Sequence, residues 1–226
     1  MTTVAAASPA FATTPEARRA LGRSAYQVRK LIDARMLPAG VHGRGRGGTL
    51  LLDPGALTAL AARPRLPQHP QGPGTEPFAL AVGLRPAGPD PDPDNQRAVA
   101  GWDAASPPPD AAWVGWWRTG PAVADLCVGL RLPILGAVSG FVVAARSVRG
   151  WTPHPRVGGL IRFETAPLPA ELEASYLHQQ YLPAAGSPWE LLRAPRQPAA
   201  PALPTAPGPV TDTDTDTDTE GVPHDG

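Results

Sequence analysis

The first hydrophobic pattern in the chain has the spacing of short amphipathic helices. Thr14 and the proline after it form the N-cap and first turn of a helix over 15–21. A second helix is predicted over 25–34, because Ser24 caps it and its apolar residues share one face. Gly22 ends the first helix, so the pattern predicts two helices joined by a tight turn.

The pattern that follows is extended rather than helical. Two short apolar runs within residues 39–52 flank a tip of alternating glycine and arginine at 43–48. This arrangement predicts a β-hairpin with a flexible basic tip. Asp53 then caps a third helix over 55–63, in which Leu57 and other leucines face inward.

Residues 13–65 therefore predict the order helix, turn, helix, two-stranded wing, helix, which resembles the small winged helix-turn-helix domain of the MerR and excisionase families. The resemblance implies binding to double-stranded DNA, with the second helix in the major groove. The residues that it assigns to DNA contact are Arg23, Ser24, Tyr26, Gln27, Arg29, Lys30, Arg44 and Arg46. Gln27 suits adenine and Lys30 suits guanine or phosphate, whereas the wing-tip arginines suit phosphate or the minor groove.

The charge distribution favours the same partner. Residues 1–66 contain ten basic and three acidic side chains, although the whole chain has a net charge of zero. A local excess of cations attracts phosphate through counterion release, independently of base sequence. For any single arginine, a position on a solvated helical face is the ordinary alternative.

Residues 78–195 are predicted to form a second, mainly β domain. Strands are predicted at 78–84, 112–118, 123–130, 140–148 and 160–164, and helices at 96–102 and 168–182. The apolar run 132–145 is too short to span a bilayer, and it contains proline and two glycines. No membrane partner is therefore expected.

All six tryptophans fall in this second domain. The order of its motifs GWWRTG, GFVVAARSVRGW and GLIRFE resembles PUA-like modules of the EVE type. Such modules hold a modified or flipped base, or an RNA base, between aromatic walls. The resemblance implies a base pocket formed by Trp116, Trp117, Arg118 and Trp151, whereas the alternative is that the tryptophans form the core of a small β domain.

The remaining segments are predicted to lack regular structure. Residues 66–77 form a proline-rich linker, and residues 1–12 and 196–226 are disordered. The C-terminal tail contains the acidic repeat TDTDTDTDTE and has no apolar period. The predicted fold class is thus α+β: a winged helix-turn-helix domain, a linker, a mainly β domain and an acidic tail.

No catalytic constellation is evident in the sequence. The five histidines are dispersed, and the single cysteine, Cys127, lies in an apolar run. We therefore expect no enzyme activity, no cofactor and no metal. The expected function is that of a transcriptional regulator or an excisionase-like accessory factor, and the alternative is a reader of RNA or modified bases.

Two further expectations concern the cellular setting. The N-terminus has no basic region typical of a signal peptide, so a cytoplasmic protein is expected. Arginine occurs 19 times and lysine once, which is typical of a GC-rich bacterial genome. The sequence leaves the oligomeric state open, because no sustained heptad repeat follows the wing.

Overall fold

The computed structural model describes residues 11–42, 49–90, 92–95, 97–108, 113–184 and 186–196. These ranges belong to one compact unit that contains both helices and strands, which confirms the predicted α+β class. The predicted disorder of residues 1–10 and 197–226 concerns segments outside the described residues. The segment 43–48, predicted to be a wing tip, lies outside them as well.

The N-terminal part is built from short helices and short strands. Their order is β1 (Ala12–Thr13), α1 (Thr14–Leu21), α2 (Ala25–Asp33), β2 (Ala39–His42), β3 (Thr49–Leu52) and α3 (Pro54–Ala61). β3 lies between β1 and β2 and is antiparallel to both. The helices and hairpin strands thus occur close to their predicted positions. Ala12 is predicted to be disordered, but it pairs with Leu52 in the sheet.

Local capping contacts explain where these helices begin. Thr13, one residue before the predicted cap Thr14, donates through its backbone N–H and its hydroxyl to Glu16 Oε2 at 2.7 and 2.8 Å. Ser24 Oγ accepts from the backbone N–H of Gln27 at 3.2 Å, and Gln27 Oε1 accepts from the N–H of Ser24 at 2.9 Å. These reciprocal bonds satisfy donors that a helix start otherwise leaves unpaired.

The rest of the described chain forms a curled six-stranded sheet with two helices. Its elements are β4 (Thr75–Gly83), β5 (Gly88–Pro89), β6 (Val99–Ala100), β7 (Trp116–Trp117), α4 (Pro121–Gly129), β8 (Pro133–Val138), β9 (Phe141–Pro153), β10 (Ile161–Ala166), α5 (Ala170–Tyr176) and β11 (Trp189–Pro195). The strand order is β11-β4-β8-β9-β10-β7, and the β4–β8 pair is parallel. β5 and β6 pair separately.

The strand predicted at 123–130 is wrong, because α4 occupies this segment. Pro121 stands in the first turn, where its fixed φ suits a helix. Ala124 and Cys127, three residues apart, are both buried on the inner face. A continuous apolar run fits a buried strand and a buried helix equally well, so its periodicity could not separate the two.

The helices predicted at 96–102 and 168–182 also differ from the structure. The described residues of the first segment contain β6 and no helix. The second helix is limited to α5, because Leu177 leaves the helical region and His178 has a φ of +68°. The chain then turns toward β9, where the N–H of Val142 donates to Gln179 O at 3.0 Å.

The apolar run 132–145 forms β8, a tight turn and the start of β9. Ser139 and Gly140 make this turn with φ values of +51° and +84°. β8 is buried along its whole length, which explains its continuous apolar sequence. Within the described ranges, each helix falls short of the length and apolar character that crossing a bilayer requires.

The predicted proline-rich linker at 66–77 is not confirmed. Leu66 is buried, and its N–H donates to Gln180 O at 2.8 Å. Gln68 Nε2 donates to Leu182 O at 3.0 Å, and the last three residues of the segment already belong to β4. Hydrogen bonds therefore hold this segment along the sheet.

Buried apolar side chains continue from the N-terminal helices into the sheet. Leu31 lies in α2 and Leu37 follows that helix. Both belong to the same buried cluster as Val138 and Phe141 of the sheet. The predicted domains 13–65 and 78–195 consequently share one hydrophobic core. A second buried cluster, which includes Leu66, also contains sheet residues.

Candidate nucleic-acid interface

The start of α2 presents most of the predicted DNA-contacting side chains to solvent. Tyr26 is 70 % exposed, and Ser24 and Arg29 are exposed as well. Gln27 and Lys30 are half-buried. The opposite face of the helix is buried in the core, so the amphipathic pattern leaves this polar face available to a partner.

The two cations of α2 differ in their surroundings. Arg29 Nε donates to Asp33 Oδ1 at 2.9 Å, which forms an exposed ion pair between residues one helical turn apart. Lys30 Nζ lies 5.3 Å from the ring centroid of Tyr26. A phosphate or a base must compete with Asp33 for Arg29, whereas Lys30 and Tyr26 already form a joint polar and aromatic surface.

Arg23 does not belong to this surface, so its prediction as a DNA contact is wrong. The residue is only 4 % exposed, because its side chain reaches into the sheet. Nε donates to Ser139 O at 2.9 Å, and Nη2 donates to Tyr181 O at 2.8 Å. The guanidinium carbon lies 5.0 Å from the ring centroid of Phe141. Burial lowers the pKa of Arg23, and phosphate has no access to it.

Arg63 approaches the same ring, with its guanidinium carbon 5.8 Å from the centroid. Its Nη1 donates to Val142 O at 3.2 Å, and its own carbonyl accepts from Gln180 Nε2 at 2.8 Å. We call the following residues the arginine junction: Arg23, Arg63, Phe141, Gln180 and Tyr181. Through them, the N-terminal helices are attached to the turn before β9 and to the segment after α5.

A cleft of about 560 Å³ lies between the start of α2 and the loops of the sheet. Tyr26 and Lys30 line one side, and Ser139 and Pro183 line the other. Ser139 Oγ also donates to the backbone carbonyl of Gln27 at 2.9 Å. A molecule that contacts the start of α2 therefore meets the sheet loops too, which the sequence did not predict.

The predicted wing contacts, Arg44 and Arg46, lie outside the described residues. The four residues of the predicted base pocket lie within them. Trp117 and Trp151 pack against the core. Trp116 points to the opposite face of the sheet, because successive residues of a strand alternate, and Arg118 is exposed. The prediction that these four residues line one pocket is therefore wrong.

The outer face around Trp116 has a cluster of charged residues that the sequence did not predict. The ring centroids of Trp116 and His154 are 4.6 Å apart, and the guanidinium carbon of Arg162 lies 5.2 Å from the Trp116 ring centroid. The His154 side chain is 4 % exposed, and its Nε2 is 3.4 Å from Asp94 Oδ2 and 3.8 Å from Asp92 Oδ2. The fold thus joins residues about sixty positions apart.

Asp92, Asp94 and His154 have ligand atoms within 4.8 Å of one another, and Asp94 and His154 also accept hydrogen bonds from Arg156 and Val157. His154 Nδ1 accepts from the N–H groups of Arg156 and Val157 at 3.0 and 3.1 Å. The proton of the neutral ring is therefore on Nε2, facing the carboxylates. Arg156 Nε also donates to Asp94 at 3.2 Å. This network holds the 92–95 segment against the end of β9.

Asp94 makes the stability of this network depend on pH. The hydrogen bond from Arg156 holds the pKa of Asp94 below its usual value. A lowered folded-state pKa stabilises the fold above the unfolded pKa of about 4, and this contribution is lost as the pH falls through the folded-state value. We expect Asp94→Asn to lower the Tm at about pH 7, with the difference from wild type shrinking below about pH 4.

Thermal unfolding followed by circular dichroism across this pH range measures the effect. Glu171→Gln, at an exposed carboxylate in the first turn of α5, is the control for loss of a surface charge and should lower the Tm less than Asp94→Asn at about pH 7. An Asp94→Asn difference that stays constant down to acid pH would show that the carboxylate charge does not stabilise the network.

Cys127 is buried in α4. Burial raises the pKa of its thiol to about 11, which disfavours the reactive thiolate near neutral pH. The residue is thus placed as a small apolar side chain of the core.

Comparison of the chain with protein-family models, with curated proteins and with solved structures gave no match.

Proposed function

We propose that this chain is a DNA-binding protein of the MerR and excisionase winged helix-turn-helix type. It would act as a transcriptional regulator or as an excisionase-like accessory factor in the bacterial cytoplasm. In this proposal α2 is the recognition helix and the β2–β3 hairpin is the wing. The observation that supports it best is the start of α2, a capped helix end with Tyr26 exposed and Lys30 beside it.

The dimensions of α2 support this role. The helix has nine residues, so it is about 13 Å long. It is joined to α1 by a short turn in which Gly22 has a φ of +62°. A helix with its side chains is about 10–12 Å in diameter, so it fits a major groove about 12 Å wide, where its N-terminal residues face the base edges.

The exposed cations of the N-terminal part support the electrostatic component of binding. Arg18 and Arg19 on α1 are exposed, as is Arg65. Together with Lys30 they can neutralise phosphates and release counterions. We expect the affinity for any duplex to fall steeply with salt concentration, with sequence preference added by α2.

The alternative function, a reader of RNA or modified bases, loses its main support because Trp116 and Trp117 face opposite sides of the sheet. The cleft beside α2 instead favours a role for the sheet next to the duplex. Ser139 and the residues after Tyr181 stand beside α2, where they would limit how the helix approaches the groove.

The proposal is tested by selecting duplexes from a randomised pool with the full chain. We expect enrichment of a short sequence, and Lys30→Ala should weaken binding to it by about 1–3 kcal/mol while weakening unrelated duplexes less. Lys30 is preferred to Gln27 for this test, because Gln27 also caps α2. Fluorescence anisotropy at several salt concentrations measures both effects.

Arg149→Ala is the matched control, since this exposed cation lies far along β9 from the turn that contacts α2. It should leave the preference for the selected sequence unchanged. No enrichment over the starting pool, or an equal effect of Lys30→Ala and Arg149→Ala, would refute the assignment of α2 as a recognition helix.

A further inference from the structure

A cavity of about 350 Å³ lies where the end of α2 and the face of α3 meet β9. Its apolar walls include Met36, Trp102, Val143 and Leu177. The volume is in the range of pockets that bind small molecules. This cavity is distinct from the cleft at the start of α2, because it adjoins the opposite end of that helix.

Two strained backbone positions border the cavity. Arg35, just after α2, has a φ of +55°, and His178, just after α5, has a φ of +68°. Left-handed backbone is uncommon for an arginine and less so for a histidine, and positions of this kind are concentrated at functional sites. Arg35 occupies the position after the C-cap, where glycine is the usual residue.

Arg63 supplies a cation to this apolar cavity. Within the described ranges, no carboxylate lies within 4.0 Å of its guanidinium, which donates to the backbone carbonyl of Val142 and approaches the Phe141 ring. Arg35, in contrast, is paired with Asp103 at 3.4 Å. Burial lowers the pKa of Arg63, as expected for a cation that no anion compensates.

We propose that this cavity binds a small carboxylate with an apolar body, whose carboxylate contacts Arg63 and whose apolar body packs between Met36, Trp102 and Val143. The planar guanidinium presents paired donors that match the two oxygens of a carboxylate. One uncompensated positive charge suits one negative charge, which favours a carboxylate over a doubly charged phosphate. The site goes beyond DNA binding and does not depend on it.

Calorimetric titration of the full chain tests the proposal without any DNA. The probes are octanoate, phenylacetate, 3-phenylpropionate and indole-3-acetate, each compared with its uncharged primary amide. We expect saturable binding of at least one acid, about tenfold or more tighter than its amide. Absence of saturable binding by every acid, or equal binding of acid and amide, would overturn the proposal.

Variants then locate the binding. Arg63→Gln should remove the preference for acid over amide, with circular dichroism used to check that the variant is folded. Ala104→Phe places a ring at the exposed wall of the cavity and should abolish binding. This second variant tests the site independently, should the Arg63 variant fail to fold. Ala105→Phe, at the exposed neighbour that does not line the cavity, is the matched control and should bind as wild type. Equal loss in both phenylalanine variants would place the acid elsewhere.

Discussion

Replacing Gly140 with alanine is expected to lower the free energy of unfolding by more than about 3 kcal/mol. Gly140 has a φ of +84°, and a Cβ there would overlap the carbonyl oxygen of Tyr181 and lie 2.7 Å from Pro183 Cδ. The Tyr181 backbone cannot easily withdraw, because its N–H donates to Gly140 O at 2.8 Å. Urea-induced unfolding measures the loss.

Gly159→Ala is the matched control for this substitution. Gly159 has a similar φ of +76°, but nothing lies within 4 Å of the position that a Cβ would take there, so only the backbone cost of about 1–2 kcal/mol applies. The difference between the two variants isolates the close approach of the Tyr181 segment to the turn. Equal losses would mean that the arginine junction can relax around the added methyl group.

Replacing Arg23 with alanine is expected to lower the free energy of unfolding by about 2–4 kcal/mol. The variant loses charge-assisted hydrogen bonds to Ser139 O and Tyr181 O, together with the packing of the guanidinium on Phe141. Arg23 Nη1 has no hydrogen-bond partner among the described residues, so relief of its desolvation offsets part of the loss.

Arg18→Ala, at an exposed arginine of α1, is the control and should change the stability by less than about 0.5 kcal/mol. Hydrogen exchange gives a second measurement, because loss of the junction should speed exchange in α1 and α2 more than in β4 and β8. Uniform acceleration across all four elements would argue against a local attachment at Arg23, and no loss of stability would rule out its structural role.

The arginine junction joins two parts of the chain that the sequence analysis assigns to separate domains. Proline and glycine after Leu66 have the composition of a linker, and composition reports only local backbone preference. The hydrogen bonds of Leu66 and Gln68 are made with residues more than one hundred positions away. Contacts over such separations leave no periodic signal in the segment itself.

The sequence itself contained the information needed to avoid one incorrect prediction, the shared base pocket. The alternation of side chains along a strand already requires Trp116 and Trp117 to face opposite sides, so a shared pocket was inconsistent with the predicted strand. For Arg23 there was no such signal, because an arginine beside a helix cap is equally suited to phosphate, to solvent or to buried carbonyl groups. Its role became evident only from its contacts with Ser139 and Tyr181.

Elements whose stabilising contacts lie within a few residues could be read directly from the chain. The capping box of Ser24 and Gln27 and the apolar face of α2 are of this kind, since their spacing is set by the helical repeat. Tertiary packing determined four other features: the helical identity of α4, the arginine junction, the Asp92–Asp94–His154 network and the cavity beside Arg63. Each of them brings together groups from distant segments, and burial, rather than local propensity, determines their partners and their charge environment.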